Sequence, residues 1–316
     1  MQKNNNFKSL YLTMKVKDGI IGLLVGDALG VPVEFQSRYS LKMNPVKGMI
    51  GHGTHNQPEG SWSDDTSMTL ATMASIVNKN AIDYEDIMKE FCNWYLNNKY
   101  CQKEQFDIGI ATQAALIKYQ NGAPALECGG TGERDNGNGS LMRILPLAYI
   151  PDINYETIEN VSAVTHAHKR SRIACVLYVE IAKSMLENEG FPIEDHIEIA
   201  SEKIQAYYRD EPELKHFKRI FEDDLDDEDT ISSKGYVIYT FESVIYCLKN
   251  TDNYRDAVLK AVNLGEDTDT VAAICGGLAG IYYGFDDIPI DWIDAIPQIN
   301  KVLSLCEKYE AFCDEY

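Results

Sequence analysis

Two acidic corners are the residues most able to do chemistry. Ser63-Asp64-Asp65-Thr66 sets adjacent carboxylates between hydroxyls, and Glu266-Asp267-Thr268-Asp269-Thr270 repeats the theme far down the chain. Each corner is also an ordinary helix start, because a Ser or Asp caps orphan N–H groups and first-turn carboxylates meet the helix dipole favourably. Alone, the first corner is best taken that way. The second corner changes the balance, since two such corners could supply one oxygen-only metal site.

Other candidates are weaker singly. Glu34 follows Gly30 and Pro32 on a segment that leaves a helix, and Asp107 is placed at the start of another; a solvated carboxylate and a dipole partner are the default roles for these two. Gly129 to Ser140 is the most glycine-dense stretch, and it precedes Leu141-Met142-Arg143, where a helix is expected. Exposed N–H groups at such a start can hold phosphate without many cations. The stretch is neither GxxxxGK[ST] nor GxGxxG, which speaks against nucleotide triphosphatases and Rossmann dehydrogenases. His166 and His168, two apart, point to different faces and cannot form the i, i+4 pair of a zincin. His52 and His55 lack the Cys or paired partner that a zinc site needs.

The elements that must position these groups read as helices. Helical apolar spacing runs through Val16 to Ala28, Met68 to Val77, Ile87 to Tyr95, Asp107 to Tyr119, Asn154 to Thr165, Lys169 to Glu189, Ile193 to Tyr208, Ala257 to Leu264, Val271 to Tyr283 and Pro297 to Phe312. Gly22 and Gly26 permit close approach of another backbone. The stretch Gly235 to Phe241 has strand-like composition, yet Val237, Phe241, Val244, Ile245 and Leu248 share one helix face, and helix is the assignment made. Residues 41–62 are punctuated by glycine and proline as a loop, and Glu222 to Asp229 is an acidic surface loop.

The chain has 316 residues and 45% hydrophobic content, enough for a large core; a polar tail over residues 1–14 and a single domain over 15–316 are expected. With 49 acidic against 29 basic residues and a net charge of −20, binding to a nucleic-acid backbone is not expected. No apolar run is long enough to span a membrane, and MQKNNNFKSL has no signal-peptide core, so a cytoplasmic monomer is expected. The eight cysteines form no CxxC pair and are read as reduced core residues.

Six pieces in order resemble one family, the ADP-ribosylglycohydrolases: Gly26-Asp27-Ala28-Leu29-Gly30 with Glu34, Ser63-Asp64-Asp65-Thr66, Phe106-Asp107-Ile108-Gly109, Gly137-Asn138-Gly139-Ser140-Leu141-Met142-Arg143, Thr165-His166-Ala167-His168, and Asp267-Thr268-Asp269-Thr270. The resemblance implies an all-α fold, a compact orthogonal bundle of a dozen or more helices. It implies two Mg²⁺ or Mn²⁺ ions held by Ser63, Asp64, Asp65, Asp267, Asp269 and Thr270. Glu266 departs from the glycine usual in the family.

The activity implied is hydrolysis of the bond between ADP-ribose and a modified target, with ADP-ribosyl-arginine on protein favoured and a small-molecule substrate also open. Glu34, Asp64 and Asp107 become the candidate acids and bases, and Glu34 is expected on a mobile flap. The turn Gly137, Asn138, Gly139 and Ser140, with Met142, is expected to take the pyrophosphate, and His166 to lie near the sugar or phosphate. Tyr149 is offered as an adenine stacker. The alternatives are a catalytically inactive ADP-ribose-binding or metal-binding relative, or a two-metal phosphohydrolase; release of ADP-ribose with and without Mg²⁺ separates them.

Overall fold

Two helices buried on almost every side define the centre. The computed structural model describes residues 16–316, so the expected tail over residues 1–14 lies outside the described residues. Fourteen α-helices follow in order: α1 (Val16–Gly30), α2 (Arg38–Met43), α3 (Asp64–Lys79), α4 (Tyr84–Asn97), α5 (Ile110–Gln120), α6 (Tyr155–Ala163), α7 (Lys169–Glu187), α8 (Ile193–Tyr207), α9 (Lys218–Phe221), α10 (Val237–Lys249), α11 (Tyr254–Asn263), α12 (Thr268–Tyr283), α13 (Ile290–Asp294) and α14 (Ile299–Glu315). Among the described residues only isolated β-bridges occur, with no strand. The all-α expectation holds.

Every residue of α1 except Lys17 is buried, and α12 is buried along all but its last two residues, as helices without a polar face must be. They pack on each other through small residues. A Cβ on Gly22 would collide with the Gly276 carbonyl oxygen, and one on Gly26 with that of Ala272, so the two backbones touch directly. Around this pair stand α3, α7, α10, α11 and α14, and one hydrophobic cluster extends from Val16 to Cys313.

Two expected elements differ in detail, and a third holds against its composition. The helix expected from Asp107 begins at Ile110 with Gly109 as its N-cap, leaving Asp107 on the preceding loop. The helix expected at Leu141 is two 3₁₀ turns, Leu141–Arg143 and Leu145–Tyr149, because Pro146 has no N–H to carry an α-helix onward. Val237–Lys249 is helical despite its β-branched and aromatic residues, since its apolar face meets α12 and α7.

Candidate metal centre

The centre forms where α1 ends and α3 and α12 begin. Asp27, buried on α1, accepts hydrogen bonds from the Ser63 N–H at 3.0 Å, the Thr66 N–H at 3.0 Å and the Thr66 hydroxyl at 2.6 Å. A carboxylate from one helix thereby caps the next and fixes its first turn. Within that turn the Ser63 hydroxyl accepts from the Asp65 N–H at 3.3 Å and donates to Asp65 Oδ2 at 2.8 Å. The start of α12 is tied to the end of α1 by the Thr268 hydroxyl, which donates to the Gly30 carbonyl at 2.8 Å. Asp269 Oδ1 accepts from the Thr270 N–H at 2.9 Å, and the Thr270 hydroxyl donates to Asp65 Oδ2 at 3.4 Å.

Carboxylate oxygens of Asp27, Asp65 and Asp269 come within 4.8 Å of one another, and so do those of Glu34, Asp267 and Asp269. Asp269 belongs to both triads. Asp65 Oδ1 and Asp269 Oδ2 are buried without a hydrogen-bond partner among the described residues, an expensive arrangement for protein alone. Burial and the neighbouring carboxylates push Asp64, Asp65 and Asp269 well above the usual carboxylate range. Burial likewise raises Asp27 to about 6 against its bonds from Thr66 and Ser63, and raises Asp267 despite its bond from Asn138. His55, paired with Glu34, is the basic group that contacts this set; no Lys or Arg forms an ion pair with it among the described residues. An oxygen-only set lacking countercharge, with two orphaned oxygens aimed inward, fits hard divalent cations.

Glu34 follows a 3₁₀ turn, Val31–Val33, and is itself buried. Burial lifts its carboxyl to about 7, the His55 hydrogen bond pulls it down, and the charges of Asp107 and Asp267 push it up. The next residue, Phe35, has a left-handed φ of 66°, and its N–H donates to the Glu266 carbonyl at 2.6 Å. Glu266 returns its N–H to the Gln36 carbonyl at 2.7 Å, with a φ of 61°. The backbone at Glu266 is thus one that glycine adopts without strain. The Thr54 hydroxyl also donates to the Glu34 carbonyl at 2.7 Å. Asp64 is buried beside the triads, and the Asp107 charge is the first to act on it after burial itself.

The glycine-rich turn reaches the same centre through Asn138. Its side-chain amide donates to Asp267 Oδ2 at 2.7 Å and to the Thr240 hydroxyl at 2.9 Å, and its N–H donates to the Gly235 carbonyl at 3.1 Å. A Cβ on Gly139 would lie 2.8 Å from His166 Cε1, so the imidazole forms the wall behind the turn. Burial and the nearby Arg143 depress His166 to about 3, which leaves it neutral, with Nδ1 at 2.9 Å from the Thr165 hydroxyl. Ser140 turns its hydroxyl inward to accept from Ser162 at 2.9 Å, and Met142 is buried. Those two side chains support the turn from behind. Tyr149 is 1% exposed in the core, packed where a Cβ on Gly19 would collide with its hydroxyl, and cannot stack on a ligand.

Sequence reasoning placed neither Asp27 nor His55 in the site: Asp27 entered only within a family motif, and His55 was set aside as a zinc ligand. A carboxylate inside a largely apolar helix was the available signal for Asp27. Nothing in the local sequence joined His55 to Glu34.

The ADP-ribosylglycohydrolase family profile matches residues 10–315. The ADP-ribosylarginine hydrolase Tri1 of Serratia proteamaculans is 30% identical over 93% of this chain and 78% of its own length. The ADP-ribosyl-[dinitrogen reductase] glycohydrolase of Rhodospirillum rubrum is 28% identical over 87% of this chain and 88% of its own. A solved structure titled ADP-ribosylglycohydrolase-related protein complex superposes with a TM-score of 0.79 at 26% identity, covering 96% of this chain and 99% of that one. The chain therefore belongs to the ADP-ribosylglycohydrolase family. It is an enzyme, a hydrolase of glycosidic bonds. No helix among the described residues is long and apolar enough to cross a membrane.

Proposed function

We propose that this protein hydrolyses the bond between the distal ribose of ADP-ribose and an arginine side chain of a modified protein, and that it needs divalent metal to do so. The observation that carries the metal requirement is the pair of carboxylate triads sharing Asp269, with no lysine or arginine paired to either among the described residues and His55 on Glu34 as the one basic neighbour. Identity to a named ADP-ribosylarginine hydrolase supports the linkage. Asp27, Asp65 and Asp269 would hold one Mg²⁺ or Mn²⁺ and Glu34, Asp267 and Asp269 the other, with Ser63, Asp64 and Thr270 at the edges. When bound, such ions supply electrostatic stabilisation and lower the pKa of a coordinated water.

The chain's own groups divide the remaining work. Asp64, Asp107 and Glu34 surround the anomeric carbon with negative charge, which favours an oxocarbenium-like transition state. Glu34, buried and paired with His55, is suited to accept and return a proton. Gly137 and Gly139 present backbone to the pyrophosphate, Asn138 pins their turn through its bonds to Gly235, Thr240 and Asp267, and neutral His166 backs it without adding charge. All eight cysteines are free, which supports a reducing cytoplasmic setting.

The test is release of ADP-ribose from an ADP-ribosyl-arginine protein in Mg²⁺, in Mn²⁺ and after exhaustive chelation. Release that depends on metal is expected. Equal release in chelated, metal-free protein would remove the metal requirement, and release only from other linkages would remove arginine.

A further inference from the structure

Phe35 has no local reason to be phenylalanine. Its φ of 66° is one that a bulky side chain rarely adopts, and 67% of its surface is exposed, so neither conformation nor burial accounts for it. The position is held firmly, because the Phe35 and Glu266 backbone hydrogen bonds lock both residues in left-handed geometry. An over-determined outlier of this kind, one residue from a site carboxylate, points to function. Its ring does not stand alone. His55 lies with its centroid 6.0 Å from Phe35 and 5.2 Å from Phe106, so three rings run in a row.

Two site carboxylates flank that row. Glu34 precedes Phe35 and binds the His55 ring, and Asp107 follows Phe106 closely enough for its charge to act on Glu34. The lysines and arginines that stack on rings among the described residues use Phe285, Tyr100, Phe91, Tyr208, Tyr236, Trp292 and Tyr246, leaving the faces of Phe35 and Phe106 without a cation. The exposed Phe35 face beside the Glu34 carboxylate, with no lysine or arginine stacked on it among the described residues, matches a planar cation that stacks and donates charge-assisted hydrogen bonds. A guanidinium has that shape and charge, whereas a serine hydroxyl has neither.

We propose that Phe35, backed by the tilted rings of His55 and Phe106, forms the leaving-group subsite, an aromatic platform on which the guanidinium of the modified arginine stacks while Glu34 and Asp107 flank it. This rests on the arginine linkage proposed above and adds the residues that select for it. Phe35 supplies the exposed face; His55 holds the row together and ties it to Glu34.

The experiment compares wild type, Phe35→Leu and Phe35→Trp, all Mg²⁺-loaded. Leucine keeps apolar cover over His55 and removes the π face; tryptophan restores one. Phe35→Leu is expected to raise KM for an ADP-ribosyl-arginine peptide about tenfold, while the calorimetric Kd for ADP-ribose stays within about twofold and Phe35→Trp recovers the KM. An unchanged KM in Phe35→Leu, or an equal loss of ADP-ribose affinity, overturns the platform. Titration of methylguanidinium into the ADP-ribose complex, read on the His55 and Phe ring resonances, tests the platform without turnover. Saturable shifts in wild type that vanish in Phe35→Leu support it, and no binding in wild type rejects it. Failure to cleave arginine linkages together with such shifts would fault the proposed reaction and leave the subsite standing.

Discussion

Asp27 and Asp65 bring carboxylate oxygens within 4.8 Å of each other, yet they are supported in opposite ways. Three donors from the first turn of α3 converge on Asp27, whereas Asp65 keeps Oδ1 buried without any partner. Asp27 therefore braces the start of α3 as well as facing the cluster, whereas Asp65 keeps an oxygen that no protein group engages.

That contrast separates stability from metal binding. Asp27→Ala strands buried donors and is expected to cost about 2–4 kcal/mol in urea unfolding. Asp65→Asn and Asp269→Asn remove uncompensated charge and should raise the melting temperature of the chelated protein by roughly 2–4 °C. In those two variants the further rise on adding Mg²⁺ should largely disappear, because ligand stabilisation follows affinity for the folded state. Paired melts in Mg²⁺ and in chelator decide the matter; a full Mg²⁺ shift in Asp269→Asn would contradict a shared ligand.

Gly26→Ala acts on the scaffold. Its added methyl meets the Ala272 carbonyl oxygen, a backbone atom that cannot swing aside, and a loss of about 3 kcal/mol is expected. Spreading α1 from α12 also parts Asp27 from Asp269, so Mn²⁺ affinity measured by calorimetry should fall with stability. A variant as stable as wild type would show the crossing to be looser than described.

Gly139→Val tests the pyrophosphate turn. A Cβ there lies 2.8 Å from His166 Cε1 and 3.1 Å from the Thr112 hydroxyl, so the turn must lift. ADP-ribose affinity should drop by more than about tenfold, or 1.4 kcal/mol, in calorimetry. An unchanged Kd would release the turn from that role.

His166 gives stability a pH dependence of defined sign. Folded, its imidazole stays neutral down to about pH 3, because burial and Arg143 oppose a second positive charge. Unfolded, it takes a proton below about pH 6.5. The unfolded state therefore binds more protons between those limits, and the stabilisation present above pH 6.5 is lost as pH falls. Between about pH 7 and pH 5 the advantage of wild type over His166→Gln should shrink by about 2 kcal/mol in urea titrations. A gap that stays constant would mean that the folded protein also protonates His166.

Much of this was legible in residue types. The two corners announced themselves because capping chemistry and metal chemistry both favour Ser and Asp at a helix start, and Ser63 caps α3 by accepting from the Asp65 N–H while it donates to the Asp65 carboxylate. Helical spacing gave α10 in spite of composition, since a shared face outweighs β propensity when the partner is another helix. Asp107 was misplaced because a carboxylate before an apolar run looks like a cap, and only the backbone reveals Gly109 in that position. Tyr149 was misassigned because aromatic rings look alike in sequence whether they stack on a ligand or fill a core. The link from His55 to Glu34 depends on the loop's path, which no local period encodes.

The glycine-lined crossing of α1 and α12 also bears on how the chain is made. A ribosome releases α1 early, with Val16, Ile20, Ile21, Leu23, Leu24, Val25 and Leu29 unburied, while its partner helix ends only at Tyr283. At ordinary elongation rates of about 5–20 residues per second, the first helix waits on the order of ten seconds or more for the surface it is built to touch. Throughout that interval it is a sticky segment without a home, and a holdase that shelters nascent apolar helices would govern how much active enzyme a cell obtains.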